Sequence, residues 1–223
     1  MKRLSYVLFF VGLILLLFPL ARESYDDWQQ EQLLKQALPL VQDTRAVEDD
    51  NSLKIANEQL TQLLNPAAEI QEQESVPQAT APTPEEPASE QQKVAIAIIK
   101  IDKINVKLPV LEGATEQNMR FAATHMKETT PIGEIGNAAI AAHRARTTGR
   151  LFNRLDELEI GDQITISVKG IEKNYTVYKK VIVDPSDISV LNGNDKDSVL
   201  TLITCDPIVN ATHRLIVQAK LVG

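Results

Sequence analysis

The sequence predicts an all-β domain, a barrel or a sandwich of seven or eight short strands, in the carboxyl-terminal part of the chain. Residues 93–223 contain seven short runs rich in Val, Ile and Thr, and many are bounded by Gly, Pro, Asn or Asp. Such runs and boundaries are typical of strands and turns. The 131 residues of this region suit one domain. We therefore expect a single β domain with small helices between its strands.

Many of the seven runs alternate apolar and polar residues or are bounded by turn residues, which is typical of strands. The runs are residues 94–101, 104–110, 137–143, 162–168, 174–183, 198–205 and 213–222. Within this domain, apolar residues recur at helical spacing at 115–125 and 150–159, and we expect the helices there.

A membrane anchor is predicted at the amino terminus. Residues 4–20 hold no charged residue and follow Lys2 and Arg3, and a helix of 17 residues, rising about 1.5 Å per residue, covers most of a bilayer core. The run ends in a poor cleavage site, so a cleaved signal peptide is the less favoured alternative. The basic start favours a cytoplasmic amino terminus. We expect residues 1–21 to form the cytoplasmic terminus and the transmembrane signal anchor.

Residues 22–92 are predicted to form an extracytoplasmic stalk and a flexible linker. Two parts of the stalk have apolar residues at roughly helical spacing, and we interpret them as marginal amphipathic helices that remain solvated. They contain Trp28, Leu33, Leu34, Ala37 and Leu38 in the first part, and Leu53, Ile55, Leu60, Leu63 and Leu64 in the second. Residues 66–92 are rich in Pro, Glu, Gln and Ala, so this segment predicts an extended linker. The folded domain then covers residues 93–223.

The charge of the chain is concentrated before the β domain. Residues 1–92 carry 6 basic and 15 acidic residues, whereas residues 93–223 carry 17 basic and 15 acidic ones. A nearly neutral domain lacks the basic surface that nucleic-acid binding requires, so no nucleic-acid partner is expected. Several acidic residues lie in or near one predicted loop, and we interpret them as solvated charge rather than a metal site. They are Asp184, Asp187, Asp195 and Asp197.

The only cysteine of the chain, Cys205, ends the run 198–205. A short connection leads from it to the run 213–222, which predicts an antiparallel pair. A regular register places His213 opposite Cys205, and a one-residue bulge places Arg214 there. The sequence leaves both registers open. Either one sets a basic group beside the thiol, and a neighbouring cation favours the thiolate that a nucleophile needs.

A thiol nucleophile also needs a proton donor for its leaving group, usually histidine. His143 ends the run 137–143 and precedes a loop, which makes it a candidate. His125 ends a predicted helix and suits a capping or supporting role. The alternative for Cys205 is a small buried hydrophobe. The alternatives for His143 and Arg214 are an ordinary surface histidine and a surface salt bridge.

Taken together, these motifs resemble the sortases, the cysteine transpeptidases of Gram-positive bacterial surfaces. The resemblance rests on TLITC at 201–205, on His143 followed by Arg144, and on Arg214 nine residues after the cysteine. Further stretches that resemble the family are Leu108–Gly113, Thr124–Met126, Pro131–Gly133, Gly136–Asn137, Gly149–Leu155 and Gly161–Asp162. One departure is Ala142, which stands where the family commonly has glycine before the histidine.

The resemblance implies a closed barrel of about eight strands in which Cys205 is the nucleophile and His143 the general acid and base. Arg214 would hold the substrate backbone and stabilise the oxyanion. No cofactor or metal is implied. His125 matches a family position to which we assign no catalytic role.

The resemblance also implies substrates and a location. The enzyme would cleave an LPxT-like sorting signal of a surface protein after Thr and transfer the protein to an amine of lipid II or of a peptidoglycan stem peptide. The anchor would hold the enzyme in the cell membrane with its catalytic domain outside. The motif Thr212–Arg214 and the anchor–stalk layout favour a class D-like sortase, with a class A-like enzyme second. Two other functions remain alternatives: a non-catalytic envelope adaptor on the same fold, and a cysteine peptidase that releases its product to water.

Overall fold

A computed structural model of the chain describes residues 25, 28–35, 50–64 and 94–222. Within these residues, eight strands close into one barrel in the order β1-β2-β3-β4-β7-β8-β6-β5, with β5 pairing back onto β1. The strands are β1 (Ala95–Ile101), β2 (Val106–Glu112), β3 (Ala123–His125), β4 (Gly136–Ala141), β5 (Gln163–Val168), β6 (Ile171–Val183), β7 (Ser198–Asp206) and β8 (His213–Leu221). The predicted all-β closed barrel of about eight strands is confirmed.

Short helices complete the described part of the chain. They are α1 (residues 28–35), α2 (Asp50–Leu64) and α3 (Glu116–Met119), with 3-10 turns at Asp102–Ile104, Leu155–Glu157 and Ile188–Leu191. All seven predicted strands are present, and β3 is the eighth.

The two helices predicted inside the domain are largely wrong. The first ends at Met119, and Ala123–His125 instead forms β3, because its backbone pairs with both β2 and β4. These pairings outweigh the helical preference of alanine. The second is a series of turns with one 3-10 turn. Leu151 has φ 46°, a left-handed conformation that an α-helix cannot contain.

Strands β4, β7 and β8 lie side by side and present two different faces. β4 and β7 run parallel, and β7 and β8 run antiparallel. Side chains alternate between the faces of a strand. The inner face fills the barrel with Ala138, Ile140, Leu200, Leu202, Leu215 and Val217. We call the outer face the groove face; it consists of Ala139, Ala141, Ile203, Cys205, Arg214 and Ile216.

Helix α2 lies on the groove face. Its buried residues are Leu53, Ala56, Asn57, Leu60 and Leu64, a stripe at helical spacing. These apolar side chains belong to the same cluster as the apolar residues of the groove face. The prediction of a solvated stalk is therefore wrong for α2, because the stripe packs on an apolar surface whose position the helix sequence does not reveal. Ile55, which was assigned to the apolar pattern, is 49% exposed.

Helix α1 also contacts the barrel through one leucine. Leu33 is buried in a cluster with Ala95, Leu111, Phe121 and Ala122, whereas Trp28 is 53% exposed. None of the helices that the structure describes is long and apolar enough to cross a membrane. The predicted anchor at residues 4–20 and the predicted linker at residues 66–92 lie outside the described residues.

Candidate active site

Cys205 lies directly opposite Arg214 on the antiparallel pair β7–β8. The register is unbroken and continues to Asp206 opposite His213. The arginine thus reaches the thiol without the bulge that the sequence argument required, because β7 runs one residue beyond Cys205 before Pro207. The sequence left His213 and Arg214 open as the residue opposite Cys205, and the structure has Arg214 there in a regular register.

The Arg214 side chain is 3% exposed and lies over the thiol. Its Nη1 is 4.0 Å from the Cys205 Sγ and donates to the carbonyl of His213 at 3.1 Å. Burial lowers the pKa of Arg214, but an arginine starts so high that the guanidinium stays charged. A permanent cation therefore faces the sulfur.

His143 follows the end of β4, which is Ala141. The parallel register pairs Ala141 with Ile203, and the Ala142 N–H donates to the Ile203 carbonyl at 3.2 Å. The segment that carries His143 therefore leaves β4 beside the end of β7. The structure sets Cys205 and Arg214 side by side at this end of the groove face.

Ala142, the departure from the family pattern, fits its site without disturbing this end of the strand. Its side chain is fully buried inside the barrel. Its carbonyl accepts a hydrogen bond from the Thr204 Oγ1 at 2.8 Å. The residue before His143 is therefore held to β7 from both its N–H and its carbonyl.

The protonation states of the pair follow from burial. Burial raises the pKa of the Cys205 thiol, and the nearby Arg214 and Arg144 only partly oppose this rise. Burial lowers the pKa of His143. Both effects disfavour charge, so the pair rests as a neutral thiol and a neutral imidazole.

Arg144 connects the segments that carry the histidine and the cysteine, and our sequence analysis assigned it no role beyond the motif. Its Nη1 pairs with Asp206, the residue after Cys205, and its Nη2 pairs with Asp156 at 2.8 Å. The Arg144 side chain is 6% exposed. Because Arg144 follows His143 directly, this ion pair ties the end of β4 to the end of β7. The sequence could have indicated this ion pair, because Arg144 and Asp206 have opposite charges and directly follow the two candidate residues His143 and Cys205.

The other two histidines lie elsewhere. His213 is exposed, and its Nδ1 is 2.8 Å from the Thr212 Oγ1. His125 is 3% exposed at the end of β3 rather than at a helix end. Its Nε2 donates to the Thr130 carbonyl at 3.0 Å, and its Nδ1 is 2.9 Å from Glu112 Oε1. These contacts give His125 a supporting position between β2 and the segment before β4.

A buried polar network underlies one wall of the groove face. The Asn137 Nδ2 and the Gln218 Nε2 both donate to the carbonyl of Val190, at 2.9 and 3.1 Å. Thr201 donates to the Asn137 Oδ1 at 2.7 Å. Val190 and Leu191 are thereby held against the apolar cluster. This network holds the turn at Ile188–Leu191 beside the groove face.

The acidic residues of the predicted loop have local partners. The Asp184 Oδ1 accepts hydrogen bonds from the N–H and the hydroxyl of Ser186, and the Asp187 Oδ1 accepts from the Ser189 N–H. Asp197 pairs with Lys220 at 2.8 Å. Among the residues that the structure describes, no group of three or more His, Cys, Asp or Glu side chains is arranged to hold a metal ion.

Comparison with known proteins gives the family. Residues 99–222 match the family model of the sortase domain. Sortase A of Bacillus anthracis is 35% identical over 136 residues, which cover 61% of this chain and 64% of that protein. Sortase D of Bacillus subtilis is 33% identical over 131 residues, covering 57% and 64%. The match to either protein thus spans slightly less than two thirds of its length.

A solved structure agrees with these sequence matches. A sortase D5 transpeptidase of Clostridium perfringens superposes with a TM-score of 0.54 and 35% identity, covering 58% of this chain and 80% of that one. The family model alone accounts for more than half of the 223 residues and includes Cys205, His143 and Arg214. The chain belongs to the sortase family.

Proposed function

We propose that this chain is a cysteine transpeptidase, anchored in the cell membrane, that cleaves an LPxT-like sorting signal after Thr and transfers the surface protein to an amine of a peptidoglycan precursor. The observation that carries the proposal is the β7–β8 register, which sets Cys205 opposite a buried, charged Arg214. His143 follows two residues after the end of β4, the strand that pairs with β7, and we assign it the acid–base role. A nucleophile, an acid–base group and an oxyanion donor are the three parts that acyl transfer requires.

In the first half of the reaction, the neutral imidazole of His143 takes the proton of the Cys205 thiol. The sulfur then attacks the carbonyl carbon of the Thr in the sorting signal. The carbonyl oxygen gains negative charge, and the guanidinium of Arg214 donates hydrogen bonds to it. The C–N bond breaks when His143 returns the proton to the departing amine, and a thioester between Thr and Cys205 remains.

In the second half, the amine of lipid II or of a stem peptide attacks the thioester. His143 accepts a proton from this amine, Arg214 again stabilises the oxyanion, and Cys205 leaves as the thiol after receiving the proton. One peptide bond is broken and one is formed, so no cofactor and no redox step is needed. Water in place of the amine would give hydrolysis.

The groove face is suited to a peptide substrate. It includes Ala139, Ala141, Ile203 and Ile216, and because the catalytic domain is nearly neutral, the peptide needs no strong charge of its own. An extended, largely apolar sorting signal suits such a surface. An anchor at residues 4–20 would keep the domain outside the membrane and near both membrane-bound substrates. Class D-like remains our preferred subclass, because Thr212–Arg214 and the anchor–stalk layout favour it over class A.

The test is a transpeptidation assay with the full-length chain in detergent. The chain is incubated with Leu-Pro-Xaa-Thr-Xaa peptides and a peptide amine, and the products are identified by mass spectrometry. We expect an amine-capped product and, without the amine, a thioacyl adduct on Cys205. Cys205→Ala should give neither product while its circular dichroism stays that of a barrel.

Two outcomes would contradict the proposal. Release of only the hydrolysed peptide in the presence of the amine indicates the cysteine peptidase. No turnover of any peptide, together with an unreactive Cys205, indicates the non-catalytic adaptor. Normal transfer by Cys205→Ala would remove the thiol from the mechanism altogether.

A further inference from the structure

Helix α1 has one side on the barrel and another side that is exposed. Leu33 is 4% exposed and packs with Ala95 and Leu111 in an apolar cluster that is separate from the groove face. Trp28 precedes Leu33 by five residues, which places it about 140° away around the helix. The Trp28 side chain is 53% exposed. The barrel therefore contacts α1 on one side, and a tryptophan lies on the other.

A second aromatic residue lies beside this tryptophan. Tyr25 has a helical backbone and is 56% exposed. The centroids of the Tyr25 and Trp28 rings are 6.1 Å apart, and the ring planes make an angle of 34°. The Tyr25 hydroxyl accepts a hydrogen bond from the Gln29 Nε2 at 2.7 Å. We call Tyr25 and Trp28 the aromatic pair.

The exposure of the aromatic pair leaves a large apolar surface in water, which is unfavourable for rings of this size. Tyrosine and tryptophan combine an apolar ring with a polar hydroxyl or N–H group. Such side chains are enriched where a membrane meets water, because one end of the side chain is apolar and the other is hydrated. The aromatic pair thus has the chemistry of a contact with the membrane interface.

The sequence places the aromatic pair close to the uncharged run 4–20. Tyr25 follows Leu20 by five residues, and five residues of chain span at most about 17 Å. The polar region on either side of a bilayer core is about 5–7 Å thick. With the run in the bilayer core, as proposed above, Tyr25 is within reach of this polar region.

The charged residues around the aromatic pair limit its depth. They are Arg22, Glu23, Asp26 and Asp27. Charged side chains are costly in the hydrocarbon core, whereas the headgroup region is hydrated and accommodates them. A contact with the membrane is therefore expected to be shallow.

We propose that the aromatic pair lies in the headgroup region of the membrane and that Leu33, on the other side of the same short helix, holds the barrel there. Trp28 and Leu33 are about 7–8 Å apart along the helix axis, since each residue adds about 1.5 Å. The barrel surface around Ala95 and Leu111 is then kept close to the bilayer. This inference rests on the membrane anchor of the proposed function, but it does not depend on the transpeptidase chemistry.

The decisive measurement is the fluorescence of Trp28 in the full-length chain reconstituted into phosphatidylcholine vesicles. Trp28 is the only tryptophan of the chain, so the signal comes from one site. Three quenchers are compared: lipids brominated near the headgroup, lipids brominated near the chain ends, and aqueous iodide. We expect the shallow bromines to quench Trp28 about threefold more strongly than the deep ones, because the ring lies at the headgroup level.

A matched variant moves the tryptophan to the other end of strand β1. Trp28→Phe/Ile160→Trp keeps an aromatic ring on α1 and places the tryptophan at a position that is 73% exposed. The neighbouring Glu159 pairs with Lys103, just beyond the last residue of β1, whereas α1 packs at Ala95, the first residue. We expect neither brominated lipid to quench this tryptophan and iodide to quench it at least threefold more strongly than Trp28.

The role of Leu33 is tested with a tryptophan on the barrel beside α1. Val94 is 37% exposed and precedes Ala95, so Trp28→Phe/Val94→Trp reports on this surface. We expect lipids with a nitroxide on the headgroup to quench the tryptophan at position 94, and Leu33→Asp to reduce this quenching at least twofold. Leu33→Ala, which adds no charge, should give a smaller reduction. Circular dichroism checks that the barrel is intact.

Several results would overturn the inference. If the chain floats with the vesicles but iodide quenches Trp28 as strongly as the tryptophan at position 160, the anchor stands and the aromatic pair lies in water. Protection from iodide without quenching by either brominated lipid would show a protein contact instead, such as a second copy of the chain. Equal quenching at position 94 with and without Leu33→Asp, in folded proteins, would show that α1 does not hold the barrel at the membrane. A chain that does not float with the vesicles would refute the membrane anchor as well as the inference.

Discussion

The two faces of strands β4, β7 and β8 are both largely buried but are covered in different ways. The inner face packs against other strands of the closed barrel, and its residues, such as Leu202 and Val217, are fully buried. The groove face is buried to a similar degree, with Ile203 at 2% exposure and Ile216 at 0%. Its cover is a helix that forms no part of the barrel.

Burial of the inner face belongs to the barrel fold itself, whereas burial of the groove face covers the candidate site. The inner cover is the barrel itself, whereas the outer cover is α2 together with residues such as Val190 and Leu191. Cys205 and Arg214 lie on the groove face. Exposure values alone do not distinguish the two faces; the strand topology does.

The largest expected effect is on the groove face. Arg214→Ala removes the guanidinium that would hold the oxyanion, and we expect kcat/KM for the sorting peptide to fall about 10³-fold, or ~4 kcal/mol of transition-state stabilisation. Arg214→Lys, the conservative control, should recover only part of this loss, because an ammonium lacks the planar fork of donors. Circular dichroism checks the fold. Activity within threefold of wild type in Arg214→Ala would exclude the assigned role.

A matched pair of leucines tests the comparison itself. Leu202 on the inner face and Leu60 on α2 are both buried, at 0% and 1% exposure. We expect Leu202→Ala to lower the free energy of unfolding of the barrel by about 3 kcal/mol, because a cavity remains in a closed core. Leu60→Ala should lower it by less than ~1 kcal/mol, since α2 can leave without unfolding the barrel.

Urea titrations followed by circular dichroism measure both values. Equal losses for the two variants would show that α2 is an integral layer of the fold, and the distinction between the faces would then disappear.

The smallest predicted effect concerns Arg144, which joins the ends of β4 and β7. Arg144 and Arg214 both act against the burial that raises the pKa of Cys205. Removing the cation in Arg144→Gln therefore raises the pKa of the thiol further, so the thiolate fraction at a given pH falls. We expect the pH profile of alkylation by iodoacetamide to move to higher pH and kcat/KM to fall about tenfold. Arg144→Lys should restore the pH profile.

A purely structural role for Arg144 would lower stability without moving the pH profile, and that result would contradict the prediction. The charged groups that act on the thiol are Arg214 and Arg144, and Asp206, the next residue in the chain, pairs with Arg144. Helix α2 adds the carbonyls of its last turn rather than a charged side chain.

Most of the barrel could be predicted from the sequence, because a strand that packs on an apolar core has a characteristic local composition and an alternation of side chains. The runs that became β5, β7 and β8 agree with the structure to within one residue at either end. β3 could not be found this way. It has three residues, and its conformation depends on pairing with β2 and β4, which are distant or later in the chain.

The residues of the candidate site could be proposed from the sequence, but the helix that covers the site could not be predicted. Cys205, His143 and Arg214 follow from their chemistry and from the family resemblance, and the register between Cys205 and Arg214 needed the structure. The apolar stripe of α2 is visible in the sequence. Its partner surface is not, because the groove face exists only after β4, β7 and β8 have been brought together by strand pairing.

Arg214 and Cys205 cap α2 by donating to the carbonyls of Thr61 and Leu64. These contacts lie within one chain, so no second molecule is needed to cover the thiol. In the sequence, 29 residues separate Leu64 from Val94. A tethered ligand acts at an effective concentration set by its tether, and diluting the protein does not weaken it. A separate ligand of the groove face competes with the helix only through its own concentration.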